Sequence, residues 1–324
     1  MSLRPWIQLA RPFTLLPPLL GILSGSACAW GSAHNPYTGF TPGLLVTLVM
    51  GSLCASLMNA ASNMINQVYD LDIDRVNKPG RPLCTGALTV RKTLWVSWVL
   101  YVISIVPVWW VVPPPYDRTL TDRTLAPWSA HAAFWIFLGG LLCTFIYSAP
   151  ALGRTKRIGW AANVTIALAR GELLKVAGWA FVASAAAWEP WYLGGIFFLF
   201  LLGAASTKDF SDMEGDRLGG CRTLPVVHGP RAAAWMIAPS FLLPWLFLPL
   251  GVVIPGPGGK PLLTGSPLLL VALGVGLSLW GAYVVYLILR DPDDLARVEN
   301  HPSWTHMYAL MMAAQIGLAL AYLL

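Results

Sequence analysis

Nine stretches of this 324-residue chain stay apolar for long enough to cross the hydrocarbon core of a bilayer as helices. They run over residues 12–31, 43–68, 92–113, 131–149, 158–187, 190–207, 231–254, 266–289 and 303–323. Pro-rich connectors such as VPPPYDRT (112–119) and IPGPGGKP (254–261) part several of them. Hydrocarbon offers no partner for a backbone N–H or C=O, so every span must pair its own, and only helices or closed barrels do that. Segments of this length predict the helical solution. The expectation is an all-α, polytopic membrane protein, nine transmembrane helices around a central cavity, in a single domain over residues 1–324. Composition agrees: 56% hydrophobic and 11% charged residues are too apolar for an ordinary soluble domain, and sixteen Trp suit interfacial belts. The first segment lacks an A-x-A cleavage pattern and is read as a retained helix. The five Cys are scattered without C-x-x-C spacing, which indicates packing residues in place of a zinc site or disulfide framework.

The net charge of +6 follows topology, so the expected partner is the lipid bilayer and no nucleic acid. With a cytoplasmic N-terminus, sixteen of the 21 Lys and Arg fall on the cytoplasmic side and three (Arg118, Arg123, Lys260) on the other. Arg170 and Lys175 lie inside the fifth segment.

At the cytoplasmic edges of segments two and six stand NQVYDLDID (66–74) and KDFSDMEGD (208–216). Aligned, Gln67, Asp70 and Asp74 fall on Asp209, Asp212 and Asp216, steps of three and then four that share one face of a helix. Carboxylates beside lipid are costly unless a cation or polar cavity receives them, so they are functional candidates. Two such clusters on one side of the membrane predict half-sites closing over a metal-bound anion, a shape suited to a diphosphate. Asp72 and Glu214 fall out of phase and are read as solvated. The loops that follow, RVNKPGRPLCTGALTV (75–90) and RLGGCRTLPVVHG (217–229), extend the likeness. It reads as an internal duplication with the site near its pseudo-symmetry axis, or as a chance likeness of two polar loops.

At these residues the chain resembles the UbiA superfamily of intramembrane prenyltransferases. The family's N-D-x-x-D-x-x-x-D signature and its N-x-P-x-R-P-like loop are matched by NQVYDLDIDRVNKPGRPL (66–83). Its second signature is matched by DFSDMEGDRLGGCRTLPV (209–226), and a Tyr-Ser-x-Pro turn by YSAPALGRTKR (147–157). One departure stands out: Gln67 occupies the family's usual Asp, able to hold water or a substrate oxygen but adding no charge.

The resemblance implies Mg²⁺-dependent transfer of a prenyl group from a prenyl diphosphate to a lipophilic acceptor through an allylic carbocation. It assigns Asn66, Asp70, Asp74, Asp209, Asp212 and Asp216 to the metal, with Asp70, Asp74, Asp212 and Asp216 catalytic. Arg81, Lys156, Arg157 and Lys208 are candidates for the diphosphate, with simple positive-inside charge as the alternative; Arg154 is read as topological charge alone. Gln67, Tyr147 and Arg170 are candidates for the substrate pocket. Inside the fifth span, Arg170, Glu172 and Lys175 either wall a polar cavity or snorkel to an interface.

The form of the second motif and the Tyr-Ser-x-Pro turn look most like the chlorophyll synthase, homogentisate prenyltransferase and archaeal ether-lipid synthase branches. The acceptor is taken as an aromatic or quinone precursor. A membrane terpene cyclase of the same fold shares the ionisation step and stays open. A secondary transporter is the alternative from another class, but it offers no reason for two copies of one acid spacing.

Overall fold

The computed structural model describes residues 3–37, 39–298 and 300–324, and among them there are helices and turns but no strand. Helix α1 (Arg4–Ala10) turns at Arg11 through a short 3₁₀ stretch into α2 (Leu16–Gly31). Helix α3 (Pro42–Tyr69) starts on a proline, whose missing N–H is harmless at that position, and the Thr41 hydroxyl accepts from Leu44 N–H at 2.9 Å. A single residue, Asp70, separates it from α4 (Leu71–Asn77). Helices α5 (Val90–Ile105), α6 (Leu120–Leu125) and α7 (Ala132–Ser148) follow. The fifth apolar segment is α8 (Gly159–Ile166), a π-helical stretch over Ala167–Leu173, and α9 (Leu174–Ala180). Then come α10 (Trp188–Ala204) and α11 (Met213–Leu218).

The seventh segment begins earlier than residue 231 and is broken into α12 (Leu224–Ile237), α13 (Pro239–Leu242) and α14 (Phe247–Val253), because Pro230, Pro239, Pro244 and Pro249 each lack a backbone donor. Helices α15 (Pro267–Arg290), α16 (Asp294–Arg297) and α17 (Pro302–Leu323) complete the chain.

Among the described residues eight helical stretches are long and apolar enough to cross a membrane, so this is an integral, multi-pass membrane protein. The ninth expected span, 158–187, is helical over α8–α9, but Arg170, Glu172 and Lys175 make it less apolar than the others.

Small residues let the bundle close. A Cβ on Gly25 would lie 2.5 Å from the Lys175 carbonyl, and one on Gly178 would strike the Ile22 carbonyl, so α2 and α9 touch backbone to backbone. Lys175 does not snorkel. Its ammonium is buried, donating to Ser24 Oγ at 2.9 Å and to Gln315 Oε1, with the Phe197 ring 4.8 Å away. At the end of the bundle remote from the acid motifs, two buried charges tie segments together. Arg123 donates to Thr47 Oγ1 and to the carbonyls of Gly43, Trp110 and Asp117. Glu189 accepts from Ser32, Thr264 and Tyr322. Each makes four or more hydrogen bonds, the compensation that a buried charge needs.

Candidate active site

The two acid motifs fold alike. Asp70 breaks the helix between α3 and α4 at φ −98°, ψ 10°, and Asp212, at the end of the 3₁₀ stretch and turn that follow α10, leads into α11 at φ −101°, ψ 5°. Each caps a short helix carrying the next acid one turn on, Asp74 on α4 and Asp216 on α11, and both of those are buried. The three-and-four spacing is therefore laid out across a helix break and not along one continuous face. Asn66, Asp70, Asp74, Asp209, Asp212 and Asp216 all line one central cavity of about 310 Å³.

Gln67 does not share that cavity, which corrects its assignment to the substrate pocket and to the metal-facing register. It is buried, and its amide donates to the Leu9 carbonyl at 2.9 Å and the Asn63 carbonyl at 3.2 Å, fastening α3 to α1. Asn63 and Asn66 on the same helix line the cavity, and Gln67, one residue past Asn66, is turned away from them toward α1. Asp72 and Glu214 are exposed, as their phase predicts, and Asp72 pairs with Arg75 at 2.9 Å.

Bases meet the acids directly. Asp70 accepts from Arg154 Nη2 at 3.0 Å and Lys156 Nζ at 2.6 Å; Asp74 pairs with Arg81; Asp212 receives Lys78 Nζ at 2.7 and 2.6 Å. Lys156 also lies 3.9 Å from Asp216, so one ammonium touches both motifs. Arg154 is thus more than topological charge: it is 9% exposed, sits in a left-handed backbone conformation (φ 41°, ψ 67°), and also donates to the Tyr69 carbonyl at 2.9 Å. Neither Lys78 nor Arg154 reads as an acid clamp in the sequence, although both lie inside the motif-matching stretches, because a loop cation that balances topology looks the same in sequence as one that clamps an acid.

Burial raises the Asp74 carboxyl above its ordinary range, against the opposing pull of Arg81. Burial, reinforced by Asp216, lifts Asp209 well above it. Asp216 is pushed up to about 6 by burial, with Lys156 opposing and Asp212 adding to the rise. Burial pulls the Lys156 ammonium down, but Asp70, Tyr147 and Asp216 together carry it above the usual lysine range.

The donor set, one amide oxygen and five carboxylates, has the hard-oxygen chemistry that Mg²⁺ takes. Among the described residues no three acids, His or Cys converge on one point. The bases stand between the carboxylates instead, so a divalent ion would enter by exchanging with them.

Of the other expected residues, Tyr147 and Lys208 line the cavity. Lys208 Nζ lies 4.2 Å from the Trp304 ring centroid and 3.2 Å from Asn300 Oδ1. Arg170, in the π-helical stretch, lines both the cavity and an adjoining apolar chamber of about 100 Å³ between α2, α3 and α7. Arg157 is exposed and lies outside the cavity lining, which corrects its assignment to the diphosphate; the local turn points Lys156 inward and its neighbour out. Arg11, counted only as topological charge in the sequence, also lines the cavity, in a left-handed conformation between α1 and α2.

Comparison with known proteins places this geometry among relatives. The UbiA prenyltransferase family pattern matches residues 19–298. The chloroplastic chlorophyll synthase of Avena sativa is 29% identical over 235 residues, 71% of this chain, which spans only 56% of that protein's length. The digeranylgeranylglyceryl phosphate synthase of Thermococcus gammatolerans is 28% identical over 328 residues, covering 98% of this chain and 96% of that one. A UbiA homolog from Archaeoglobus fulgidus, solved with GPP and Mg²⁺, superposes with a TM-score of 0.69 at 20% identity, over 98% of this chain and 99% of that one. At that identity the superposition shows a shared fold.

Proposed function

The chain belongs to the UbiA prenyltransferase family, and from that premise we propose that it transfers a prenyl group from a prenyl diphosphate to a lipophilic acceptor, with Mg²⁺, through an allylic carbocation. The observation that carries this reading is the pair of acid turns, Asp70/Asp74 and Asp212/Asp216, facing one membrane-embedded cavity with a base against each acid. Asn66, Asp70, Asp74, Asp209, Asp212 and Asp216 would hold Mg²⁺, which supplies the positive charge that a departing diphosphate needs.

The chain's own groups do the rest. Lys78, Arg81 and Lys156 neutralise the acids before substrate arrives and are placed to turn their N–H donors to phosphate oxygens once the acids engage elsewhere. That exchange delivers preorganised donors where leaving-group charge grows. Arg154 stays behind Asp70, tied to the Tyr69 carbonyl, and holds that carboxylate in place. The Tyr147 ring is placed to face the isoprenoid cation, and apolar walls keep water from quenching it.

Arg170 fits the wall of an acceptor site, and an aromatic or quinone precursor is the acceptor class we favour. Relatives named chlorophyll synthase and digeranylgeranylglyceryl phosphate synthase keep a chlorin and a glycerol-phosphate ether in the test. The acids gather at one end of the bundle and form no relay across it, which speaks against a transporter. The sixteen-to-three distribution of Lys and Arg supports a cytoplasmic N-terminus and cytoplasmic acid turns. One cavity served by both halves supports a single domain.

The experiment is incubation of purified protein with labelled geranylgeranyl diphosphate and a panel of these acceptors, with and without Mg²⁺. Expected are Mg²⁺-dependent diphosphate release and an acceptor-linked product, with both lost in Asp70→Ala and Asp212→Ala by at least about 100-fold in rate while the proteins stay folded. Undiminished turnover after thorough metal depletion overturns the reading, and a cyclic hydrocarbon formed without acceptor makes the protein a cyclase.

A further inference from the structure

Aligning Asp70 with Asp212 and Asp74 with Asp216 sets Ile73 on Gly215 and Asn77 on Gly219. In the structure α4 and α11 pack so that Asn77 meets Gly215 and Ile73 meets Gly219. The contact is therefore pseudo-twofold: each helix offers the same two positions, in swapped order. The halves differ in what they contribute. The first supplies the side chains and the second supplies glycines, since a Cβ on Gly215 would lie 2.5 Å from Asn77 Nδ2 and one on Gly219 would strike the Ile73 side chain. Into the space left by Gly215 the Asn77 amide makes two hydrogen bonds. Its Nδ2 donates to the Asp212 backbone carbonyl at 2.9 Å, and its Oδ1 accepts from Gly215 N–H at 2.9 Å. Both partners belong to the second acid turn, at the residue that breaks the helix and at the start of α11. Asn77 itself is absent from the cavity lining, whereas its neighbour Lys78 reaches in to Asp212.

We propose that Asn77 is a positioning residue that locks the two acid turns at one separation, so that both half-sites engage the two phosphates of a single diphosphate. The proposal rests on the diphosphate-transfer reading above. The physical argument is that carboxylates on separate helices hold a bridging ligand only if their spacing is fixed beforehand; otherwise binding must restrain two mobile turns, and affinity falls by that cost. A two-point amide clamp between backbone groups fixes spacing without adding charge to the site.

The test measures binding of Mg²⁺ with inorganic pyrophosphate, and of Mg²⁺ with inorganic phosphate, by ligand-induced thermal stabilisation and calorimetry on the full-length protein in detergent. Wild type is expected to prefer pyrophosphate. In Asn77→Ala, pyrophosphate binding weakens about tenfold, the scale of two lost hydrogen bonds, while phosphate binding, which needs one half-site, changes little. Gly215→Ala pushes the Asn77 amide out of its seat and gives the same loss. In the double variant the new methyl has room, so its loss equals that of Asn77→Ala alone and the two changes are not additive.

Retention of the full pyrophosphate preference in folded Asn77→Ala overturns the clamp and leaves the transfer reading standing. Should Asn77→Ala not fold, Gly215→Ala and Asn77→Asp, which keeps an acceptor for Gly215 N–H but loses the donor to Asp212, carry the same comparison. A wild-type protein that binds neither anion with Mg²⁺ overturns the transfer reading itself.

Discussion

Lys156 holds Asp70 at 2.6 Å and lies 3.9 Å from Asp216, so a single ammonium bridges the two halves. Asp216 has the weaker half of that arrangement, and burial leaves its carboxyl titrating at about 6. An ion that binds carboxylate must displace that proton, so Mg²⁺ affinity should rise with pH through about 6, and Asp209, held well above its ordinary range, adds to the rise. The same shift, a native value above the unfolded one of about 3.9, means this group stabilises the ligand-free fold below about pH 4. That contribution is lost as pH rises through about 6. Mg²⁺ titrations across this range check the first point, and Asp216→Asn should flatten the pH dependence.

Gln67 gives the opposite lesson at the same scale. From its position in the motif, Gln67→Asp should have tightened the metal. Because the amide donates to two backbone carbonyls instead, the variant is expected to leave the Mg²⁺ requirement unchanged. It should destabilise the α1–α3 junction by about 1–3 kcal/mol, since a carboxylate would face the Leu9 carbonyl with no donor. A Mg²⁺ titration that shifts, with an unchanged thermal midpoint, would return Gln67 to the metal site.

The elements divide into long spans that build the cavity and short ones that load it. The breaks before α4 and α11 set these short helices off from the spans, and Ile73, Asp74 and Asp216 on them line the cavity. The π-helical stretch Ala167–Leu173 brings Arg170 to the same cavity, and such a local widening re-aims a side chain without ending the helix. These features work only if α2 and α9 lie close, and their glycines permit it. Gly25→Val is expected to force that crossing apart at a cost of about 1–3 kcal/mol, read as a lowered thermal midpoint. Gly276→Val, where nothing stands within 4 Å of the added Cβ, should leave it unchanged.

At the scale of the whole molecule, charge is sorted by face. The acid turns and their bases occupy one end, and the buried Arg123 and Glu189 networks stitch the other. Positive-inside sorting then predicts orientation. In sealed vesicles, on a background with the native Cys removed, single Cys labels replacing Lys78 and Arg222 should react from the side that holds the N-terminus. Labels replacing Arg118 and Lys260 should react from the opposite side. Reaction at position 78 only from the side away from the N-terminus would invert the topology.

The sequence by itself determined the all-helical class and, among the described residues, the eight helices that are long and apolar enough to cross a membrane, because hydrocarbon forces each segment to satisfy its own backbone and so writes the answer locally in apolar length. It also determined that the two acid motifs belong to one site, since a carboxylate beside lipid has no neutral explanation. It could not decide which polar groups face one another. Lys78 on Asp212, Arg154 on Asp70 and Asn77 on Gly215 are pairings between residues far apart in the chain. Gln67 is tied to the Leu9 carbonyl and stays out of the cavity that Asn66 lines, and Arg157 is exposed beside a Lys156 that lines it. Partner choice of this kind depends on how the helices pack, and packing is a property of the folded bundle that no local stretch of residues encodes.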